Sequence, residues 1–254
     1  MFRRRTIFYV LISIVFLYSC DEDKKDSLTI AVASNLQFVM PELAGEFSKK
    51  TGIDCEIIVG SSGKLTAQIV EGAPFDLFLS ADEKYPNELF IKGFGTKDPD
   101  IYAFGSLILW TLKEDVASEL SSLASEEIKF VAVGNPKTAP YGLAAMQVLE
   151  TKGLYKLVKD KLVFGESVSQ TNQFIISQAA DLGFTSKSVV LSPQMKDKGS
   201  WKEIDKALYD PMAQALVILN NRTKFEQEAL QFRDFILSKE GKEILAKFGY
   251  DLTP

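Results

Sequence analysis

Apolar, β-rich runs alternate with segments of helical spacing from Leu28 to almost the end of the chain. This alternation constrains the fold more than anything else in the sequence, because strand–helix–strand units close most readily into parallel sheets covered by helices on both faces. Strands are expected at 27–33, 54–59 and 76–80, with helices over 36–50, from 65 to 70, and from 81 to about 92. Phe38, Val39, Leu43 and Phe47 carry the spacing of the first helix, Gly52 stands just past its end, and Pro41 near its start is expected to kink or delay it. The pattern restarts after an apolar stretch at 103–111, with strands at 129–134, 161–165 and 182–185 and helices at about 139–152 and 168–180. Pro211 to Leu219 reads as the last strong strand, and helices over about 224–238 and 239–248 close the chain.

The restart divides the molecule. Residues 28–105 together with 213–254 are expected to form a first lobe, and 106–212 a second lobe inserted into it. The chain would then cross between lobes twice, near 103–110 and 211–219, which makes a hinge with a ligand cleft between the lobes.

The N-terminus follows other rules. Arg3-Arg4-Arg5, an apolar run from Ile7 to Tyr18, and Ser19-Cys20 describe a secretory signal over residues 1–19. The run is short for a membrane crossing. Leu17-Tyr18-Ser19-Cys20 resembles a bacterial lipobox, with Cys20 as the lipidated first residue, although Tyr18 is bulkier than that motif usually allows and a plain cleaved signal or retained anchor is the other reading. Residues 20–27, dense in charge, would be a solvated tether. Removing residues 1–19 takes away three Arg and no acid, leaving 26 basic against 34 acidic residues, a net charge of −8. So acidic a protein is a poor partner for nucleic acid. Cys55 is then the one remaining thiol, read as a half-buried strand cysteine, and with no histidine in the chain the commonest acid–base catalyst and metal ligand are both missing.

Chemistry is concentrated where strands give way to helices. Ser34-Asn35, Ser61-Ser62-Gly63-Lys64 and Ala139-Pro140-Tyr141-Gly142 all occupy such junctions. A helix start offers unpaired N–H groups and a partial positive charge, so it seats anions. At the second junction the hydroxyl of Ser62 and the N–H groups of Ser62, Gly63 and Lys64 are expected to face one spot, with Gly63 letting the backbone approach closely. Plain N-caps without a ligand are the competing reading at each place. Ser61-Ser62-Gly63-Lys64 also has S-x-x-K spacing and Lys50-Thr51-Gly52 matches K-T-G, but the order is reversed from that of serine β-lactamases and no Ser-Asp-Asn occurs. A Walker P-loop fails as well, with Ile58 and Leu65 in its required positions.

Taken together, these phrases resemble the molybdate-binding proteins of bacterial ABC importers, close kin of tungstate and sulfate binders. The resemblance runs from about Leu28 to Leu252 and rests on Ala31–Asn35, Gly60–Leu65 with Ala67-Gln68-Ile69, Gly72-Ala73-Pro74, Leu79–Asp82, Asn135–Gly142, Gly165–Val168 and Ala180–Phe184. It implies a two-lobed periplasmic-binding-protein fold of type II, α/β, each lobe a mostly parallel sheet flanked by helices. It further implies that Ser34, Asn35 and Ser62 from the first lobe, with Tyr141 and Val168 (both chiefly through backbone N–H) from the second, hold a tetrahedral oxyanion. One branch of that family carries a tyrosine after its Leu-Gly-hydrophobic strand. Thr185 and Ser186 stand there instead, so that contact is lost or replaced, with Asn35 compensating from the opposite lobe.

The expectation is an exported, lipid-anchored, monomeric protein that captures molybdate or tungstate for an importer permease, with no catalysis and no cofactor beyond its cargo. Molybdenum enters only as the oxyanion, without direct protein ligands. Lys64 reads as a solvated helix side chain. The alternatives are the same fold holding sulfate, phosphate or a small organic acid, and an enzyme using Ser62 and Lys64.

Overall fold

The computed structural model describes residues 27–220 and 223–253. The leader over 1–19, Cys20 and the tether up to residue 26 lie outside the described residues. Among those described, two five-stranded sheets stand side by side. The first contains β1 (Leu28–Ala33), β2 (Cys55–Gly60), β3 (Leu77–Leu79), β4 (Asp100–Gly105) and β10 (Met212–Ile218), in the order β2-β1-β3-β10-β4. The second contains β5 (Leu107–Thr111), β6 (Val131–Gly134), β7 (Leu162–Gly165), β8 (Leu182–Ser186) and β9 (Ser200–Glu203), in the order β7-β6-β8-β5-β9. The pairings β1–β2, β1–β3, β6–β7 and β6–β8 are parallel, whereas β10 and β5 run against both of their neighbours. Four of five strands in each sheet therefore point one way, the mostly parallel α/β architecture implied by the resemblance.

Burial explains which runs became which strands. β1, Leu-Thr-Ile-Ala-Val-Ala, is buried at every position because it lies between β2 and β3 with helices on both faces. β2 is an edge strand, half-buried along its length with Glu56 and Val59 exposed. β9, Ser-Trp-Lys-Glu, has no apolar pattern to betray it; it is a short polar edge strand paired with β5. The apolar stretch at 103–111 resolves into β4 and β5, broken at Ser106, where the chain passes from one sheet to the other; it returns over residues 204–211.

Helices α1 (Met40–Thr51), α2 (Ser62–Val70), α3 (Lys84–Ile91), α8 (Glu226–Leu237) and α9 (Lys239–Lys247) accompany the first sheet, while α4 (Pro140–Thr151), α5 (Tyr155–Val158), α6 (Val168–Ile176) and α7 (Lys187–Val190) accompany the second. Pro41 delays α1 without kinking it. It sits in the first turn, where no N–H is needed, after a 3₁₀ turn at Ser34–Leu36. Gly52 closes α1 in the left-handed region (φ 75°), its N–H 2.8 Å from Ser48 O. Other helix bounds depart from the sequence expectation as well. α2 begins at Ser62 rather than Leu65, since its first turn is built of small residues that carry no apolar periodicity. α6 ends at Ile176 rather than near 180, where Gln178 adopts φ 57°. Phe47 of α1 packs edge-on against Phe232 of α8 at 5.0 Å between ring centres, locking the outer layer of the first lobe. The second core gathers around Trp110, Leu149, Ile175 and Phe184.

Candidate functional site

The carboxyl ends of β1, β2 and β3 and the starts of α4 and α6 converge on one small cavity between the lobes, the place where open α/β sheets receive ligands. It measures about 170 Å³, its mouth included. Only about 10 Å³ of it is open to the centre of a water-sized sphere, about the room one water needs, so the closed cavity excludes a sugar. Ser34, Asn35, Ser62, Tyr141 and Val168 all line it, joined by Ala33, Ser61, Ala81, Ala139 and Pro140. Among the described residues no charged side chain lines the cavity.

Each donor is set by its local geometry. Ser62, Tyr141 and Val168 fall at the first or second position of α2, α4 and α6, where N–H groups have no intrahelical acceptor. Pro140 at the start of α4 has no N–H to give, and those of Gly142 and Leu143 turn back to Ala139 O at 2.9 and 3.1 Å, so Tyr141 offers the free one. The Ser62 hydroxyl accepts the Ala81 N–H at 3.1 Å, which leaves its proton to give. The Ser34 hydroxyl donates to Gly60 O at 2.8 Å.

One expectation is corrected. The Gly63 N–H does not face the cavity; it crosses the cleft and donates to Thr138 O at 2.9 Å. Gly63 does permit a close approach, but of the other lobe. A β-carbon there would stand 2.8 Å from Tyr85 Oη and 2.9 Å from Thr138 Cα. The Tyr85 hydroxyl meets Lys137 O at 3.1 Å, Lys64 pairs with Glu166, and Ser169 bonds Gln37, each across the same divide. Lys64 thus lies in an outer groove with Glu166, half exposed, and outside the cavity. Ser62 is held by the Ala81 N–H, and Lys64, its counterpart in the S-x-x-K spacing, is paired with Glu166 outside the cavity.

Behind the cavity lies a fully buried polar web. Asn35 Nδ2 donates to Gln214 Oε1 at 2.9 Å and to Tyr250 Oη at 3.0 Å. Gln214 also receives the Tyr102 hydroxyl at 3.0 Å and gives to Tyr141 Oη at 3.2 Å. Burial pushes the Tyr141, Tyr102 and Tyr250 phenols well up, so all remain protonated donors at neutral pH. Asn35 O accepts from Ser188 Oγ at 2.8 Å and Tyr250 Oη at 3.0 Å. Thr185 bonds Asn172 at 2.5 Å and Ser186 bonds Ser188 at 2.5 Å; both belong to the wall behind the cavity and do not line it.

Burial pushes the Cys55 thiol up to about 11, which makes it an inert, half-buried strand residue as read from the sequence. Among the described residues no cluster of His, Cys, Asp or Glu could hold a metal ion, and no helix is long and apolar enough to cross a membrane. Sequence reasoning missed Ser61, Ala81, Gln214 and Thr138. Ser61 had a signal, since it shares the Gly-Ser-Ser-Gly turn with Ser62, but spacing alone does not say which hydroxyl faces inward.

A family model described as bacterial extracellular solute-binding protein matches residues 28–251. The chain is 34% identical over 221 residues to the molybdate-binding protein ModA of Rhodobacter capsulatus, covering 87% of this chain and 86% of that one. The solved Azotobacter vinelandii periplasmic molybdate-binding protein superimposes with a TM-score of 0.85 at 35% identity, covering 90% of this chain and 100% of the other. A Bacillus subtilis protein described as a putative ABC transporter substrate-binding lipoprotein, YvgL, is 28% identical, covering 98% of this chain and 99% of its own.

Proposed function

The chain belongs to the family of bacterial extracellular solute-binding proteins, a family that captures cargo rather than transforming it, and from that premise we propose that it binds molybdate or tungstate and hands it to the permease of an ABC importer. The observation that carries the reading is the cavity itself. Residues from both lobes, uncharged throughout, meet around one small space at the helix starts. Three helix starts supply about half a positive charge each, which offsets most of a dianion without a lysine or arginine. Among the described residues the lining offers hydroxyls and N–H groups and no carboxylate, which suits an anion fully deprotonated at neutral pH; the buried amide oxygen of Asn35 is the acceptor on hand. In this reading Ser62 gives its hydroxyl and N–H, Tyr141 and Val168 their N–H groups, and Ser34 and Asn35 close the first-lobe side.

Capture would proceed by hinge closure about the two crossings. The bonds from Gly63 to Thr138 and from Tyr85 to Lys137 hold the lobes together once the anion has drawn them in, and the closed face is what the permease would recognise. The lipobox-like segment ending at Cys20, together with the description of the Bacillus relative as a lipoprotein, supports a lipid-anchored extracytoplasmic location. Calorimetric titration of residues 21–254 with molybdate, tungstate, sulfate and phosphate tests the assignment. Tight binding of the first two and weak binding of the others is expected, and preference for sulfate or phosphate would overturn it.

A further inference from the structure

Ser61 stands at the N-cap of α2 in extended conformation (φ −74°, ψ 148°), the position from which a serine hydroxyl ordinarily accepts an N–H of the first turn. It does not do so here. Ser167, in the same position before α6, does cap its helix, receiving the Gln170 N–H at 3.3 Å. Ser61 is only 3% exposed, its Oγ has no hydrogen-bond partner among the described residues, and it lines the same cavity as Ser62. A hydroxyl so buried and unbonded weakens the protein unless something supplies an acceptor. Three neighbouring acceptors already carry bonds. Gly60 O takes the Ser34 hydroxyl, Ser62 Oγ takes the Ala81 N–H, and the carbonyl of Ser61 itself receives the Leu65 N–H at 3.0 Å.

We propose that the Ser61 hydroxyl is a further donor to the bound oxyanion, so that the Gly-Ser-Ser-Gly turn grips the anion with two adjacent hydroxyls in place of one. This rests on the oxyanion reading of the cavity and deepens it. The anion completes a bond that the protein alone leaves unmade, and part of its affinity comes from relieving that deficit. A solute lacking an oxygen acceptor at that corner gains nothing from Ser61.

The test is Ser61→Ala, which keeps the backbone and removes one oxygen, beside the unaltered protein and Ser167→Ala. Each is titrated with molybdate and with sulfate, and melted without added anion. Molybdate affinity in Ser61→Ala is expected to fall by about tenfold or more, while its melting temperature without anion stays level or rises. Ser167→Ala is expected to do the reverse, losing melting temperature through its lost cap. Affinity of Ser61→Ala within twofold of the parent overturns the inference, and so does a loss of affinity matched by a loss of melting temperature, which would make Ser61 a structural residue. If the parent itself takes sulfate and not molybdate, the molybdate assignment falls and the same comparison is read on sulfate; if it takes neither, both fall together.

Discussion

Replacing Gly63 by alanine should separate binding from stability. Gly63 lies in the first turn of α2 with ordinary helical φ, so alanine meets no backbone strain, and within a helix it is favoured over glycine by up to about 1 kcal/mol. The new methyl would, however, stand 2.9 Å from Thr138 Cα and 3.1 Å from Thr138 Cβ on the facing lobe. Tyr85 could swing its hydroxyl aside, but a backbone atom of the other lobe cannot move without opening the cleft. The two bonds lost first are Gly63 to Thr138 and Tyr85 to Lys137. At about 0.5–1.5 kcal/mol net for each, closure should weaken by about 1–3 kcal/mol. That corresponds to roughly 5- to 150-fold in affinity, expressed as faster dissociation. Calorimetry and stopped-flow release of molybdate would measure the loss, and a thermal melt without ligand should show no decrease. Unchanged affinity and release rate in Gly63→Ala would refute the view that this contact holds the lobes together.

Four further substitutions probe other parts of the account. Ser62→Ala should weaken molybdate binding by about tenfold, whereas Lys64→Ala should change it little, because its pairing with Glu166 is solvent-exposed and outside the cavity; titration showing a collapse only in Lys64→Ala would mean that a cation, not neutral donors, holds the anion. Asp251 ties the C-terminal tail to both crossings, accepting from Ser106 Oγ at 3.0 Å and pairing with Lys206 at 2.8 Å. Burial alone would raise its carboxyl, but Lys206 and Ser106 outweigh burial and hold it below the usual range. Its folded pKa lying below the unfolded one, Asp251 stabilises the protein at neutral pH and ceases to as pH falls through the carboxylate range. Melting temperatures of the parent and Asp251→Asn should therefore differ at pH 7 and converge by about pH 2, and a constant gap would contradict this. Gln214→Met keeps the volume but strips partners from Asn35, Tyr102 and Tyr141; urea unfolding should show a loss of about 1–3 kcal/mol, and a neutral result would mean that the web reorganises freely.

What the sequence revealed, and what it hid, follows from how local each signal is. β1 and β10 announced themselves because strands buried on both faces read as near-continuous apolar runs. β9 could not, since Ser200 to Glu203 pair with β5 at an edge that needs no apolar face. The residues around the cavity were legible because each sits at a strand-to-helix junction, and such junctions leave a mark in small hydroxyl residues followed by helical spacing. The direction of each donor was not. Gly63 and Ser62 are neighbours in one turn, yet one N–H crosses to Thr138 and the other does not, a difference made by the facing lobe 75 residues along the chain. Ser61 and Ser167 are the same residue at the same helix position, and only their surroundings make one a cap and the other an unbonded hydroxyl. Gln214 reads as an interruption in an apolar strand; that it joins Asn35, Tyr102 and Tyr141 is settled by tertiary pairing alone.

The central claim, that uncharged donors from both lobes hold the anion, is tested most directly by a crystal structure grown with molybdate, with the metal located by its anomalous scattering. The account predicts molybdenum in the cavity between Ser62 and Tyr141, its oxygens within hydrogen-bond distance of Ser62 and of the Tyr141 and Val168 N–H groups. A metal peak in the outer groove against Lys64, or at any site gripped mainly by lysine or arginine, would contradict it.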